Sequence, residues 1–191
     1  METEDSVWGR KMILFLLEEP SMEALLEEIL PQILDEDFRL ISHEGKGDLI
    51  KSLPIKLKAW NIPNTKFVVV HDQDNNDCKV LKKSIRDVCN QYNREVVIRI
   101  VCRELEAWYF GDLVAVEKAF NKDLSKLKNS KKYNDPDAIS DPKAILKKYI
   151  PELTQIDGAK RISKHMDIKE NKSHSFNVFV EGVKKLENSV G

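Results

Sequence analysis

The sequence predicts an α/β fold in which helices cover both faces of a central parallel sheet of about four strands, with further helices at the carboxyl end. Residues 1–120 alternate between short apolar segments and segments whose apolar residues recur every three or four positions. The short segments are apolar on both sides, as is typical of strands buried between two layers of helices. We therefore expect a single domain with two parts, an α/β core over residues 1–120 and a basic loop with C-terminal helices over residues 121–191 that pack on the core.

The first strand and the first helix follow from hydrophobic spacing. Met12–Leu17 is apolar on both sides and stops at Glu18, which predicts a buried strand. A helix is predicted over Met22–Leu34, where leucine and isoleucine recur at helical spacing and Ser21 is available as the N-cap. Pro31 is expected to kink this helix or to end it early.

A weaker strand and a second helix come next. Phe38–Ser42 predicts the strand, and it leads into Gly45–Gly47. Asp48 is predicted to cap a helix that carries Leu49, Ile50, Leu53 and Leu57, which recur at helical spacing. Pro54 is expected to make this helix irregular.

The third and fourth strands are the most apolar part of the pattern. Phe67–Val70 is rich in β-branched residues and is halted by the polar segment His71–Asp77. Asp77 is the predicted cap of a third helix that continues towards Tyr92. Val96–Val101 predicts the fourth strand.

The remaining elements are helices and one long connection. Glu104–Phe110 predicts a short helix, and a second short helix follows it. Asn121–Ser140 is rich in Lys, Asn and Asp, so we expect a loop there. Asp141 is expected to cap the next helix, and Ser175 to cap the final helix over Phe176–Leu186.

The composition excludes several classes of protein. With 41% hydrophobic and 33% charged residues, the chain is typical of a globular protein rather than a fibrous or disordered one. Its three cysteines form no Cys-x-x-Cys pair, which argues against a disulfide framework and favours a reducing cytoplasm. The longest apolar run, Met12–Leu17, is far shorter than the roughly 20 residues of a membrane span, and the first five residues lack the basic region of a signal peptide. We expect a cytoplasmic protein with no membrane role.

The net charge of −1 hides an asymmetry along the chain. Residues 1–120 contain 16 Lys and Arg against 22 Asp and Glu, whereas residues 121–172 contain 13 against 8. An acidic first part suits a cation site, and a basic later part suits contact with a polyanion. The alternative is that both sets of charges are solvated helix faces.

Acidic residues follow three of the predicted strands. In parallel sheets, ligands bind beyond the carboxyl ends of the strands where the strand order reverses, so these acids are expected to meet at one edge. Asp72 and Asp74 are two positions apart, which points both side chains to the same side of an extended segment. Carboxylates of this kind are oxygen ligands for Mg²⁺ or Mn²⁺, although turn, cap and lysine contacts are the alternative roles. The acids that follow the strands are Glu18, Glu19, Asp72, Asp74, Asp77, Glu104 and Glu106.

Several other side chains are candidates for binding or catalysis. Lys46, flanked by two glycines, could approach a phosphate closely or be an ordinary surface lysine. His71 could act beside the acids, although a strand-end histidine bonded to the backbone is the favoured interpretation. Trp108 and Tyr109 are expected to pack against the sheet rather than to stack on a base. The residues expected to contact nucleic-acid phosphates are Lys126, Lys128, Lys131, Lys132, Arg161 and Lys164.

Five blocks of sequence, in this order and spacing, resemble a known family. The chain is similar to a Toprim-like family, domain of unknown function 4276 (DUF4276), whose members are small bacterial and archaeal proteins often encoded beside AAA- or ABC-type ATPases. The resemblance covers nearly the whole chain and implies a Toprim-like, that is Rossmann-like, fold. The blocks are Glu18–Glu23, Glu44–Leu49, Val70–Cys78, Arg103–Asp112 and Asn171–Phe176.

The resemblance implies roles for individual acids. Toprim domains of topoisomerases, primases and related nucleases hold Mg²⁺ with a Glu after the first strand and an Asp-x-Asp after the third. In this sequence the pair is Asp72 and Asp74, and either Glu18 or Glu19 is the strand-one acid, with Glu19 standing where relatives often have Gly. Asp77 is either a third ligand or the cap of the third helix. Glu104, Glu106 and Trp108 match a Glu-x-Glu-Ala-Trp block whose chemical role the resemblance leaves open.

The expected function is a Mg²⁺- or Mn²⁺-dependent nuclease that processes DNA or RNA. The resemblance further implies an ATPase partner and a role in phage defence, and a homo-oligomer is compatible with it. A non-catalytic module that binds metal or a partner ATPase is the alternative. A phosphatase of the haloacid-dehalogenase type is disfavoured, because its nucleophilic Asp follows the first strand, whereas Asp72 follows the third.

Overall fold

The sheet has the predicted architecture. The computed structural model describes residues 12–189, so the expectation about the amino terminus lies outside the described part. Four parallel strands lie in the order β2-β1-β3-β4. The fold is therefore α/β and consistent with a Rossmann-like or Toprim-like topology. The strands are β1 (Met12–Leu17), β2 (Asp37–Ser42), β3 (Thr65–Asp72) and β4 (Val96–Val101).

The strand order reverses between β1 and β3. From β1 the chain first adds β2 on one side, and it then crosses to add β3 and β4 on the other side. Leu17 at the end of β1 lies opposite Ser42 of β2 and Val70 of β3. Glu18 continues this pairing, because its N–H donates to the Val70 carbonyl at 3.2 Å. The carboxyl ends of β1 and β3 thus form the position where open parallel sheets bind ligands.

Helices cover both faces of the sheet and continue to the carboxyl end. Short 3₁₀ turns lie over Leu30–Gln32, Lys131–Tyr133 and Pro136–Ala138. Within residues 12–189, no helix has both the length and the apolar character needed to cross a bilayer. The helices are α1 (Pro20–Ile29), α2 (Lys46–Ala59), α3 (Cys78–Cys89), α4 (Glu106–Gly111), α5 (Leu113–Phe120), α6 (Ser125–Lys128), α7 (Pro142–Tyr149), α8 (Gln155–Ser163) and α9 (His174–Asn188).

Two apolar cores lie on opposite faces of the sheet. On one face, α2 and α3 pack on Leu14, Leu16 and the alternate residues of β3 and β4. On the other face, Phe15 packs against Phe179 of α9, and the same core includes buried residues of α1, α4, α5, α7 and α8. Two cores form because alternate side chains of each buried strand point to opposite faces of the sheet. The helices after residue 120 share the second of these cores with the sheet.

The first two helices begin earlier than predicted. Helix α1 begins at Pro20, two residues before the predicted start, because proline is favoured in the first turn, where its missing N–H costs nothing. Ser21, the predicted cap, lies inside that turn. Helix α2 begins at Lys46 after Gly45, whose φ of 101° is strained for residues other than glycine. Asp48, also predicted as a cap, lies in the first turn of α2.

Several later elements differ from the prediction. Strand β3 begins at Thr65, two residues before the predicted start, and continues through His71 and Asp72, which were expected to follow it. Helix α4 spans Glu106–Gly111 rather than Glu104–Phe110. Helix α3 ends at Cys89, before Tyr92. The cap of α9 is Ser173, whose hydroxyl accepts the N–H of Phe176. The expected loop over residues 121–140 contains α6 and two 3₁₀ turns, because scattered apolar residues of this segment are buried in the core.

Candidate functional site

Glu18 and Asp72 meet at the carboxyl edge of the sheet. Glu18 follows β1 and Asp72 ends β3, and both residues are buried. The backbone N–H of Asp72 donates to Glu18 Oε2 at 2.8 Å. The two acids therefore come together as the parallel topology predicts.

Asp72 is buried without enough compensation for a negative charge. The residue is 7% exposed, and within residues 12–189 its Oδ1 has no hydrogen-bond partner. Burial raises the pKa of the Asp72 carboxyl well above its usual range, and the nearby carboxylates of Glu18, Glu19, Glu106 and Asp74 raise it further. The protonated form of Asp72 is therefore favoured, and a cation close to the carboxyl would favour the ionised form.

His71 positions the Glu18 carboxylate. Its Nδ1 lies 2.9 Å from Glu18 Oε2 and 2.5 Å from the Asp72 carbonyl oxygen. Because a carbonyl only accepts, Nδ1 must be the donor in this arrangement. Burial alone would lower the pKa of His71, but the hydrogen bond and charge of Glu18 outweigh burial and raise it. His71 is 1% exposed, so it could influence a ligand of the site only through Glu18.

Asp74 and Lys46 form the solvent-exposed rim of the site. Lys46 Nζ lies 3.1 Å from Asp74 Oδ2, and the side chains are 62% and 41% exposed. Asp74 has a left-handed backbone with φ of 51°, and its N–H donates to the Arg103 carbonyl at 2.7 Å. An exposed ion pair of this kind contributes little to stability, so both groups can rearrange around a ligand at low cost.

Glu19 and Asp77 have different surroundings. The Glu19 carboxylate accepts the Ser21 hydroxyl and, at 3.2 Å, the amide of Gln155 in α8. The negative charge of Glu19 nevertheless contributes to the raised pKa of Asp72. Asp77 Oδ1 accepts the N–H groups of residues 79 and 80 at 2.9 Å each, so Asp77 caps α3. Of the two roles left open for Asp77, the structure shows capping.

Helix α4 brings a third buried acid, Glu106, to the site. Burial raises the pKa of Glu106 to about 7, even though Lys143 Nζ, 3.8 Å away, favours the charged form. Glu104 lies further out, and its Oε1 accepts the Lys143 backbone N–H at 2.9 Å. Tyr109 follows Glu106 by three residues, so both lie on one face of α4. The Tyr109 hydroxyl is buried and has no partner within residues 12–189.

The raised pKa of Glu106 predicts a pH-dependent stability of the metal-free protein. The folded state keeps a proton on Glu106 up to about pH 7, whereas the unfolded chain releases it near the ordinary glutamate pKa of 4.5. The free energy of unfolding should therefore fall as pH rises from about 4.5 to 7, by up to about 3 kcal/mol from this residue. Urea unfolding in a chelator should show this slope in the wild type and a smaller slope in Glu106→Gln.

The exposed Glu181 provides the control for this experiment. Glu181→Gln removes a carboxylate from the surface of α9 and should leave the wild-type slope unchanged. Equal slopes for Glu106→Gln and the wild type would show that Glu106 titrates normally.

The carboxylates of the site meet the requirements of Mg²⁺ but not those of a fully protein-bound metal ion. Within the described residues, no group of three His, Cys, Asp or Glu side chains is arranged to hold a metal ion. Mg²⁺ does not require such a cage, because it keeps several water ligands and is commonly bound through one or two carboxylates together with substrate phosphates. Asp72 with its unpartnered oxygen and the adjacent Glu18 fit that mode of binding.

The basic residues predicted to contact nucleic acid are all exposed but have separate surroundings. Lys128 pairs with Glu117, and the Arg161 guanidinium lies 4.2 Å from the centre of the Phe120 ring. Lys164 follows α8 and lines a cleft beyond the end of α1, whereas Gln155 at the start of α8 contacts Glu19. Lys164 is thus separated from the carboxylates by the length of a helix. The exposed residues are Lys126, Lys128, Lys131, Lys132, Arg161 and Lys164.

Two features of the site were missed from the sequence. Trp108 is 1% exposed and packs in the core as predicted, but the hydroxyl of the adjacent Tyr109 lies near the carboxylates. The spacing of Glu106 and Tyr109 on one short helix was the available signal. Arg103 lines a cleft next to Asp74, and only the tertiary structure shows that placement.

Comparison with known proteins gives a family and no further relative. A search of curated proteins and of solved structures found no match. The family model described as "Domain of unknown function (DUF4276)" matches residues 17–184. That range begins within β1 and includes every acid of the site as well as most of α9. The chain therefore belongs to the DUF4276 family.

Proposed function

We propose that the carboxyl ends of β1 and β3 bind Mg²⁺ or Mn²⁺ and that the protein is a metal-dependent nuclease. The observation that carries this proposal is Asp72, which is buried near four other carboxylates and has an oxygen without a partner among residues 12–189. A divalent cation would stabilise the ionised form of this group, since it offsets several negative charges at once. Hard carboxylate oxygens are the ligands that these cations prefer.

Asp72 and Glu18 are the residues that would hold the cation. His71 and the Asp72 N–H both contact Glu18 Oε2, so Glu18 is held in one orientation beside Asp72. A bound divalent ion supplies neutralisation of a phosphate and a water of lowered pKa. Such chemistry requires no nucleophilic side chain.

The remaining residues of the site suit substrate binding and proton transfer. Lys46 lies at the rim, where its ammonium can contact a phosphate oxygen in place of Asp74. Glu106, with a pKa of about 7, can accept or release a proton near neutral pH. The exposed basic residues of α6 and α8 would add phosphate contacts that weaken with salt.

Cleavage assays test this proposal. Purified protein incubated with plasmid DNA and with RNA should cleave at least one of them in Mg²⁺ or Mn²⁺ and neither in a chelator. Asp72→Asn should reduce the rate roughly 10³-fold, because a ligand of the cation is lost. Asp74→Asn should reduce it less, because Asp74 lies at the exposed rim and pairs with Lys46. Asp87→Asn, which changes an exposed acid of α3, is the matched control. Cleavage by Asp72→Asn at the wild-type rate would remove the site.

The same assay distinguishes the second candidate, a module that binds a metal or a partner without catalysis. The favouring observation is that no three-ligand metal group is present within residues 12–189. A protein that binds Mn²⁺ but cleaves neither substrate would support the module. The ATPase partner and the role in phage defence stay predictions from the resemblance.

A further inference from the structure

A cleft adjoins the carboxylate site and contains both signs of charge. Asp74 borders the cleft and also contributes to the negative potential at Asp72, so the two sites are continuous. The cleft lies between the ends of β3 and β4 and the start of α7. Its lining residues are Asp74, Asn75, Arg103, Glu104, Ser140 and Asp141.

Each acid of the cleft already has a partner within the protein. Asp74 pairs with Lys46 at 3.1 Å. Glu104 accepts the N–H of residue 143, and Asp141 accepts the N–H of residue 144, both at 2.9 Å. Glu104 and Asp141 therefore satisfy N–H groups in the first turn of α7 that have no acceptor inside the helix. Because each of these carboxylates already has a partner, the acids of the cleft do not require an additional cation.

Arg103 is the charged group of the cleft that lacks a partner. Within residues 12–189, its guanidinium makes no hydrogen bond or ion pair. Its backbone is held by two contacts: the N–H donates to Gln73 Oε1 at 3.1 Å, and the carbonyl accepts from Asp74. These contacts hold Arg103 at a φ of 60°, a conformation that favours glycine. The backbone therefore gives no reason for an arginine at this position.

We propose that Arg103 binds a phosphate group of the substrate in this cleft, next to the metal-binding carboxylates. The inference rests on the proposed nuclease function and adds a substrate-binding residue to it. A guanidinium presents several N–H donors in one plane and binds two phosphate oxygens together. Lys46 pairs with Asp74 at 3.1 Å, and Arg103 lines the same cleft as Asp74, so a phosphate near Asp74 would have two cations close to it.

Phosphate binding to Arg103 can be measured with and without metal. The probes are inorganic phosphate and a DNA hexanucleotide without terminal phosphates, each titrated in a chelator and in Mg²⁺. Binding of either probe should shift the Arg103 Nε–H resonance of the wild type. Arg103→Gln should weaken binding roughly tenfold or more, since a hydrogen bond to a charged group is lost. Phosphate alone would indicate a terminal phosphate as ligand, and binding of both probes an internal phosphodiester.

Two variants separate binding from stability and from net charge. Arg103→Gly should bind as weakly as Arg103→Gln yet melt at or above the wild-type temperature, because glycine accepts the positive φ. Arg39→Gln removes a positive charge from the exposed edge strand β2 and should bind both probes as the wild type does.

The outcomes for Arg103 and for the metal site are distinguishable. Wild-type affinity of Arg103→Gln for both probes, or an equal loss in Arg39→Gln, would overturn the role of Arg103 while leaving Mn²⁺ binding untouched. Failure of the wild type to bind either probe under both conditions would also overturn it. If Mn²⁺ does not bind, the nuclease proposal fails, and the titration in chelator still decides the role of Arg103.

Discussion

Asp72→Asn is expected to weaken Mn²⁺ binding strongly and to make the metal-free protein more stable. The amide keeps the size of the side chain and, unlike the carboxyl, cannot acquire the negative charge that burial and four nearby carboxylates oppose. The free energy of unfolding should therefore rise by about 1 kcal/mol at neutral pH, or about 2–4 °C in Tm, as is common when a strained functional site is relieved. The affinity for Mn²⁺, measured by calorimetry, should fall roughly 100-fold or more.

Asp72→Asn should lower the affinity for Mn²⁺ while raising the stability of the metal-free protein, so general damage to the fold cannot explain both results. Mn²⁺ should raise the Tm of the wild type, because it binds only the folded state, and should leave Asp72→Asn unchanged. Asp87→Asn is the control, because Asp87 is exposed and pairs only with Lys83 within the described residues. A variant that is less stable than the wild type and still binds Mn²⁺ would show that Asp72 is a structural acid.

Trp108→Ala is expected to lower the free energy of unfolding by more than any of the site substitutions. Trp108 is 1% exposed, lies 5.2 Å from the ring centres of Phe176 and Phe179, and donates from Nε1 to Ser175 Oγ at 2.9 Å. Truncation leaves a cavity between α4 and α9 and should cost about 3–5 kcal/mol. Thermal denaturation followed by circular dichroism should show a Tm lower by roughly 10 °C. Because α4 also carries Glu106, the proposed cleavage activity should decrease together with the stability.

Trp108→Phe separates the packing of the ring from its hydrogen bond. The phenyl ring keeps much of the contact with Phe176 and Phe179 but loses the bond to Ser175, so the loss should be about 1–2 kcal/mol. Equal losses for the two variants would mean that the hydrogen bond, and not the packing, dominates.

Strands were predictable where hydrophobicity alone determines burial. The bounds of β1 and β4 agree with the predicted Met12–Leu17 and Val96–Val101. Strand β3 was predicted too short, because His71 and Asp72 are polar residues buried at its end. Their burial depends on contacts with Glu18, 53 or more positions away in the chain. Local rules are expected to fail at positions of this kind, which are often functional.

Helix boundaries and the connection after residue 120 were harder to predict. The sequence offers several cap residues close together, and Asp137 contacts both Ser173 and Ser175. The Ser175 hydroxyl accepts the indole N–H of Trp108, whereas the Ser173 hydroxyl accepts a helix N–H and caps α9. Leu124, Leu127 and Ile139 are buried but are spaced too irregularly to predict α6.

The candidate site was partly predictable. The convergence of Glu18 and Asp72 follows from parallel strands and the reversal of strand order. The capping role of Asp77, the buried Tyr109 hydroxyl and the position of Arg103 depend on tertiary contacts that periodicity does not contain. The proposed roles of the carboxylates in catalysis stay predictions.

A crystal grown with Mn²⁺ tests the central claim most directly. We expect an anomalous peak at the carboxyl ends of β1 and β3, within about 2 Å of Asp72 Oδ1 and with water among its ligands. The peak should be absent in Asp72→Asn crystals grown in the same way. Wild-type crystals in which Asp72 stays without a metal ion at saturating Mn²⁺ would contradict the account.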